Sequence, residues 1–262
     1  MRTLVVNADD FGFTRDVNRG IVEAHQQGIL TATTLMATGT AFDDAVRLAH
    51  ENPALDIGVH LVLVGDTPFP STVGRLVKEV VLGRIPIYDE LRKQVIRVLD
   101  SGLRVTHLDT HKHTHLLPPV LRAVARLSEE FAIPFVRRPF DFTGSAQNIP
   151  IKKELTAKAF LLVRGEFERE LAKHGCRSTD YFAGFRITGR YNAGELVRII
   201  QALPEGTTEF MCHPGVLGDE LLGARTRLKE SRATELAALC DPTVRDALGK
   251  ENVRLSSYRA LL

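Results

Sequence analysis

Two adjacent carboxylic acids, Asp9 and Asp10, follow the apolar run Leu4-Val5-Val6 near the start of the chain. Successive side chains of a strand point to opposite faces, but where a strand ends and the chain turns, both can reach one cleft. Two neighbouring carboxylates repel each other, and burying them is costly unless a cation or hydrogen-bond donors compensate. A divalent metal ion beside a proton-accepting carboxylate is the simplest compensation, so further ligands are expected elsewhere in the sequence.

Five more polar side chains lie in or directly after apolar, strand-like segments: His60, Asp109, His111, Arg137 and His213. In a parallel α/β barrel, the carboxyl ends of the strands open on one face, where the active site lies. Such a fold would bring acids, imidazoles and a guanidinium from five separate segments into one cleft. Acids and imidazoles together serve as ligands and proton carriers in metal-assisted hydrolysis.

These residues also have structural explanations, which the sequence leaves open. A lone histidine in a strand, such as His60, is more often a satisfied polar residue than a ligand. Asp9 and Asp10 could cap the helix that follows within a few residues. Arg137, next to a second arginine, could belong to a solvated basic pair.

Three histidines, His111, His113 and His115, alternate along the chain, so a strand here would place them on one face. A strand end aims only its last one or two residues at a cleft, so three ligands are not expected. His113 and His115 are interpreted as groups that support the site, face the substrate or lie at the surface. His107 is interpreted as structural.

The bulk composition is that of an ordinary globular protein, with 262 residues, 44% hydrophobic and 25% charged. We expect a single domain over residues 1–262. A net charge of +2 does not suggest a nucleic-acid partner, and no apolar run approaches the roughly 20 residues of a membrane helix. With no secretory leader apparent, the expected location is cytoplasmic. Three widely spaced cysteines predict no disulfide framework.

Short apolar segments alternate with amphipathic ones, which predicts an α/β protein with a mainly parallel sheet. Seven or eight strands are predicted, at 3–7, 29–36, 55–63, 104–108, 134–136, 180–187, 207–211 and 252–256. Helices are predicted after Thr14 and Thr40 and at 73–81, 87–101, 116–131, 151–173, 192–203, 228–240 and 242–249. This number of strands favours a barrel over an open sheet. The long loop at about 64–86 is typical of a functional lid.

Four motifs resemble those of the YdjC-like carbohydrate deacetylases, which include the chitooligosaccharide deacetylases and the hopanoid-associated HpnK proteins. They are Asn7-Ala8-Asp9-Asp10-Phe11-Gly12, Gly58-Val59-His60-Leu61, the run from His107 to His115, and Met211-Cys212-His213-Pro214. The resemblance runs from residue 3 to about 215, and the first motif is its most specific element. It implies a distorted (β/α) TIM-like barrel, related to the polysaccharide deacetylases of the NodB type.

The resemblance also implies roles for individual residues. Asp10, His60 and His111 would be the metal ligands, and Asp9 the general base. Arg137 would orient that base, and His213 would be the general acid. Magnesium is the ion implied for the family, whereas one carboxylate and two imidazoles suit zinc, cobalt, iron or manganese better on ligand softness, so the ion is left open.

The implied activity is metal-dependent removal of an N-acetyl group from a small amino sugar, oligosaccharide or glycolipid, with release of acetate. Two alternatives remain open: amide or ester hydrolysis of a non-sugar substrate, and sugar binding without catalysis. The chain has no Trp, so stacking on a sugar ring would fall to residues such as Phe69, Phe140, Tyr181, Phe182 and Phe185. The sequence does not decide the oligomeric state, for which a homodimer is one option.

Overall fold

The computed structural model describes residues 1–65, 68–142 and 149–262. Within these ranges, eight strands form one sheet, and every pairing between neighbouring strands is parallel. The strands are β1 (Arg2–Phe11), β2 (Ala32–Leu35), β3 (Asp56–Leu61), β4 (Val105–Thr110), β5 (Phe135–Val136), β6 (Tyr181–Ala183), β7 (Gly206–Cys212) and β8 (Val253–Ser256).

Helices cover the sheet and supply most connections between its strands. They are α1 (Arg15–Gln26), α2 (Phe42–Glu51), α3 (Val73–Val81), α4 (Ile87–Leu99), α5 (Pro118–Glu130), α6 (Ile151–Leu161), α7 (Arg164–Lys173), α8 (Ala193–Gln201), α9 (Asp219–Gly223), α10 (Glu230–Cys240) and α11 (Pro242–Lys250). No helix in the described ranges combines the length and apolar character that a bilayer crossing requires.

The strand order β5-β4-β3-β2-β1-β7-β6 places β1 near the middle of the sheet, and β8 pairs with the first half of β1. The two edges approach each other, since Asp141, which follows β5, forms a backbone bridge with Phe182 of β6. The sheet therefore curls into a distorted (β/α) barrel, as predicted. Parallel strands of this kind are buried on both faces, by helices outside the barrel and by side chains of the other strands inside it.

Strand β1 is buried along nearly its whole length, as expected for a strand near the middle of the sheet. Residues 3–11 are all buried, and Leu4, Val6 and Ala8 belong to the main apolar core. Full burial of a side chain as large as that of Leu4 or Val6 stabilises the fold by roughly 1.5–3 kcal/mol. The carboxyl end of β1 is thereby held rigidly at the mouth of the barrel, beside the ends of β2 and β7.

Two predictions of local structure are wrong. The single helix expected over 151–173 is two helices, because Leu161 and Leu162 are exposed and give no continuous buried stripe across the junction. The histidine run does not continue β4 but forms a short 3-10 segment, His111–Leu116. Its Lys112 and His113 have φ of 55° and 53°, so the three histidines do not share one strand face. Helix α9 was not predicted.

Candidate metal centre and catalytic site

The end of β1 is irregular where its two acids lie. The register with β2 shifts between Ala8 and Phe11, and Asp10 has a φ of 72°. A left-handed conformation costs a residue other than glycine roughly 1–3 kcal/mol, and such strain concentrates at functional sites. The bulge lets both buried carboxylates line the same cavity.

Neither acid caps the following helix. Thr14 does so, because its side-chain oxygen accepts the backbone N–H of Val17 at 3.2 Å. The capping explanation for Asp9 and Asp10 is therefore wrong.

Asp10, His60 and His111 point three ligand atoms at one another. Asp10 Oδ1 lies 3.4 Å from His60 Nε2 and 3.3 Å from His111 Nδ1, and the two nitrogens are 3.3 Å apart. Around a tetrahedral ion with bonds of about 2.0–2.1 Å, neighbouring ligand atoms lie about 3.3–3.4 Å apart. The three atoms thus form a triangle of suitable size for a metal ion, with Asp10 Oδ1 buried and without a hydrogen-bond partner among the described residues.

Two polar groups next to Nδ1 set the orientation of the His60 ring. Its Nδ1 lies 2.7 Å from Asp109 Oδ1 and 3.2 Å from the hydroxyl of Thr34, which leaves Nε2 for the triangle. A carboxylate behind a ligating imidazole is typical of metal sites. Burial alone would lower the pKa of His60. The carboxylates of Asp109 and Asp10 act in the opposite direction and together raise the pKa to about 10. The carboxylates beside His60 therefore favour a positive charge at this position.

A second group of close ligand atoms, from Asp9, His60 and Asp109, is already occupied by a protein cation. The guanidinium of Arg137 donates to both oxygens of Asp9, at 2.6 and 2.8 Å, and also contacts Asp109. Its Nε donates to Glu209 at 2.7 Å. These contacts disfavour this second group as a metal site.

Arg137 is buried rather than part of a solvated basic pair. Burial alone would lower its pKa, but the carboxylates of Asp109, Asp9 and Glu209 raise the pKa well above its ordinary value. Arg137 is therefore a fixed positive charge that holds Asp9 in one orientation. The neighbouring Arg138 instead reaches Glu168 on α7.

His213 follows β7 and faces Asp9 across the cavity. Its Nε2 lies 3.8 Å from Asp9 Oδ2, and its backbone N–H donates to Glu235 at 2.6 Å. Burial lowers the pKa of the imidazole to about 4, although the Asp9 and Asp10 carboxylates act in the opposite direction. The ring is therefore neutral near pH 7.

The other three histidines in the run from His107 to His115 have distinct environments. His107 stacks on Tyr258 with ring centroids 4.0 Å apart and bonds Asn7, which agrees with a structural role. His115 lies 2.6 Å from the hydroxyl of Thr110 and 3.1 Å from the carbonyl of Arg137, so it supports the backbone of that arginine. His113 is buried against phenylalanines and lines the cavity.

Two buried charged residues of the site were not predicted. Arg232 and Glu235, both 1% exposed, reach the site from α10, where Arg232 bonds Asp10 and Glu235 bonds the backbone of His213. Their spacing in the sequence could have revealed them, because residues 228, 232, 235 and 239 fall on one face of a helix and two of these residues are leucines. Charged residues in an apolar stripe indicate buried partners.

A cavity of about 910 Å³ opens in front of these groups. Of the aromatic residues expected to face a sugar, Phe69 and Phe185 line it, whereas Phe140 and Phe182 are buried in the core. Tyr181 lies in β6. The loop that follows β3 also contributes to the lining, although Asp66 and Thr67 lie outside the described residues.

Comparisons with known proteins agree over nearly the whole chain. The family model described as YdjC-like protein matches residues 3–250. A carbohydrate deacetylase from Brevibacillus brevis is 32% identical over 270 residues, which cover 98% of this chain and 99% of that protein. A carbohydrate deacetylase from Geobacillus stearothermophilus is 33% identical over 269 residues, covering 98% and 97%.

A crystal structure of a proposed cellobiose-phosphate cleavage protein from Enterococcus faecalis has the same fold. Its TM-score is 0.76 at 24% identity, and the match covers 99% of this chain and 98% of that one. The resemblance inferred from the four motifs is confirmed by the family model and the relatives. The chain belongs to the YdjC-like protein family.

Proposed function

We propose that the protein is a metal-dependent carbohydrate N-deacetylase, a hydrolase of a linear amide in a small N-acetylated sugar. The observation that carries this proposal is the triangle of Asp10, His60 and His111 beside an Asp9 that is held apart by Arg137. The names of the relatives supply the carbohydrate and the acetyl group. We further propose that residues 1–262 form one barrel domain.

Asp10, His60 and His111 would hold one divalent cation, which when bound supplies a Lewis acid for the amide carbonyl and lowers the pKa of a water molecule. Two imidazoles favour zinc or cobalt over magnesium on ligand type. Spacings of 3.3–3.4 Å also support this preference, since neighbouring ligands of octahedral magnesium, with bonds of about 2.0–2.1 Å, lie about 2.9 Å apart. Magnesium and manganese belong in the same test.

Asp9 acts as the general base in this proposal. Its carboxylate lines the cavity and is not needed as a ligand, so it is free to accept a proton from the attacking water. The paired guanidinium of Arg137 fixes the direction of the carboxylate. The division of labour explains why two adjacent acids are useful here: one holds the cation and the other accepts the proton.

His213 protonates the departing amine. Because its pKa is lowered to about 4, the imidazole is neutral at the start of the cycle near pH 7 and must acquire its proton during the reaction. The nearest donor is Asp9, whose Oδ2 lies 3.8 Å from Nε2. We propose that the proton accepted by Asp9 passes to His213 and from there to the amine.

Acetate release from N,N′-diacetylchitobiose, called chitobiose below, tests the proposal. We expect acetate with added Zn²⁺, Co²⁺, Mn²⁺ or Mg²⁺, and none after treatment with a chelator. Metal-dependent release from short acylated amides or esters but not from N-acetylated sugars would favour the alternative hydrolase. Binding of chitobiose without release of acetate under any ion would favour a non-catalytic sugar-binding relative.

A further inference from the structure

Helix α10 delivers a buried arginine to the proposed metal ligand Asp10. Arg232 is 1% exposed, and its Nη2 donates a hydrogen bond to Asp10 Oδ2. Its Nε donates to the carbonyl of Leu228 at 3.3 Å, and its aliphatic stem packs against Gly215. The guanidinium is thus held from two sides against one oxygen of Asp10.

The two oxygens of Asp10 therefore have different surroundings. Oδ2 accepts the charge-assisted bond from Arg232, whereas Oδ1 has no hydrogen-bond partner among the described residues and faces His60 and His111 at 3.4 and 3.3 Å. A carboxylate can bind a cation through one oxygen or through both. Here Arg232 occupies the second oxygen, so only Oδ1 is available.

Stability alone does not account for this arginine. Its Nη1 is buried and has no hydrogen-bond partner within residues 1–65, 68–142 and 149–262, and an unpartnered buried donor destabilises a fold. Well-packed apolar residues often replace buried ion pairs without loss of stability. The arginine is better explained by its effect on the carboxylate that it contacts.

We propose that Arg232 is a positioning residue that restricts Asp10 to ligation through Oδ1 and weakens Asp10 as a donor to the cation. The inference rests on the proposed function, because it needs a cation at the triangle. Loss of the arginine would free Oδ2 and remove a positive charge beside the site. Both effects strengthen the attraction for a cation, while the extra ligand atom takes a coordination position that the reaction needs.

Co²⁺ binding tests this without relying on activity. Arg232→Met should bind Co²⁺ more tightly, by roughly tenfold, because the variant lacks one positive charge close to the cation and frees the second oxygen of Asp10. Its visible absorption should weaken, since a higher coordination number lowers the intensity of Co²⁺ bands. Acetate release should fall. Arg232→Lys, which keeps the charge, should stay near wild type in affinity and spectrum.

Glu235→Gln is the matched control, because it changes a buried polar side chain of the same helix that does not touch Asp10. Its Co²⁺ affinity and spectrum should equal those of wild type. If Arg232→Met does not fold, Arg232→Gln is measured instead and should shift in the same direction.

Unchanged affinity and spectrum in the neutral Arg232 variants, or loss of Co²⁺ binding by them, would overturn the inference. Wild-type protein that binds none of Co²⁺, Zn²⁺, Mn²⁺ and Mg²⁺ would overturn both the inference and the proposed function, and wild-type protein that binds another of these ions but not Co²⁺ would overturn the inference alone. Wild-type protein that binds Co²⁺ but releases no acetate from any sugar would overturn the proposed reaction alone.

Discussion

Replacing Asp9 with asparagine separates proton transfer from metal binding. Asparagine has nearly the same shape but cannot accept a proton from water, and Asp9 lies beside the metal triangle rather than in it. Because a positioned general base contributes about 10²–10⁴-fold, Asp9→Asn should lose that much turnover. This corresponds to roughly 3–5 kcal/mol in the activation barrier.

The substitution also costs stability, and the structure indicates how much. Arg137 donates to both oxygens of Asp9, and an amide would oppose one of these donors with an NH₂ group. Asp109 and Glu209 still pair with the guanidinium, so the loss should be close to one buried hydrogen bond, about 1–3 kcal/mol. At about 2–4 °C per kcal/mol, the melting temperature should fall by roughly 2–12 °C.

The assay measures three quantities on the same preparation: acetate release from chitobiose, bound metal by elemental analysis, and the melting temperature. Activity is measured well below the melting temperature of the variant, so unfolding does not contribute. The expected result is a large loss of turnover with the metal still bound.

Asp56→Asn is a matched control for the stability effect. Asp56 is fully buried and accepts bonds from Thr106 and the backbone of Arg259. It lies four residues before His60 on β3, about 13 Å away at roughly 3.3 Å per residue. It should lose stability but keep its turnover. If Asp9→Asn with bound metal works within tenfold of wild type, Asp9 is not the base and the proposed mechanism fails.

Three further changes probe other parts of the site. His60→Ala should strip the cation, seen as loss of bound metal in elemental analysis; a full complement of metal would exclude His60 as a ligand. Asp109→Asn should weaken metal affinity by about 10–100-fold in competition with a chelator, because the partner that orients His60 is lost; unchanged affinity would refute that role. Burial lowers the pKa of His107 to about 3, whereas the pKa in the unfolded chain is about 6.5. Between these two pH values the unfolded chain binds more protons than the folded one. The free energy of unfolding therefore falls as the pH drops from about 6.5 to 3, by up to about 1.4 kcal/mol per pH unit. In urea titrations across this range His107→Gln should show a shallower slope than wild type, and equal slopes would contradict the burial argument.

The fold was predictable because strands and helices differ in apolar periodicity. Each predicted strand overlaps an observed one, and the helix over 73–81 has the predicted bounds. The failure at 151–173 has a physical cause. The apolar pattern continues through Leu161 and Leu162, but both side chains are exposed, so burial does not stabilise a single helix across this junction.

The site was predictable to the extent that it depends on strand ends. Parallel strands share a direction, so polar residues after Val6, Leu108 and Met211 had to meet at one edge. The backbone conformation of single residues could not be predicted. The positive φ of Asp10 and the tight turn at His113 decide which atoms face each other, and neither follows from apolar spacing.

Helix α10 shows why contacts from a distant segment were the hardest to anticipate. Arg232 and Glu235 are separated from Asp10 by more than two hundred residues, and they lie beyond the four motifs. Yet a buried carboxylate at a strained position needs a cation or donors on each oxygen. The triangle accounts for Oδ1 of Asp10 and not for Oδ2. Oδ2 therefore needs a donor of its own, and the buried guanidinium of Arg232 supplies it from a helix that no motif in the first two hundred residues identifies.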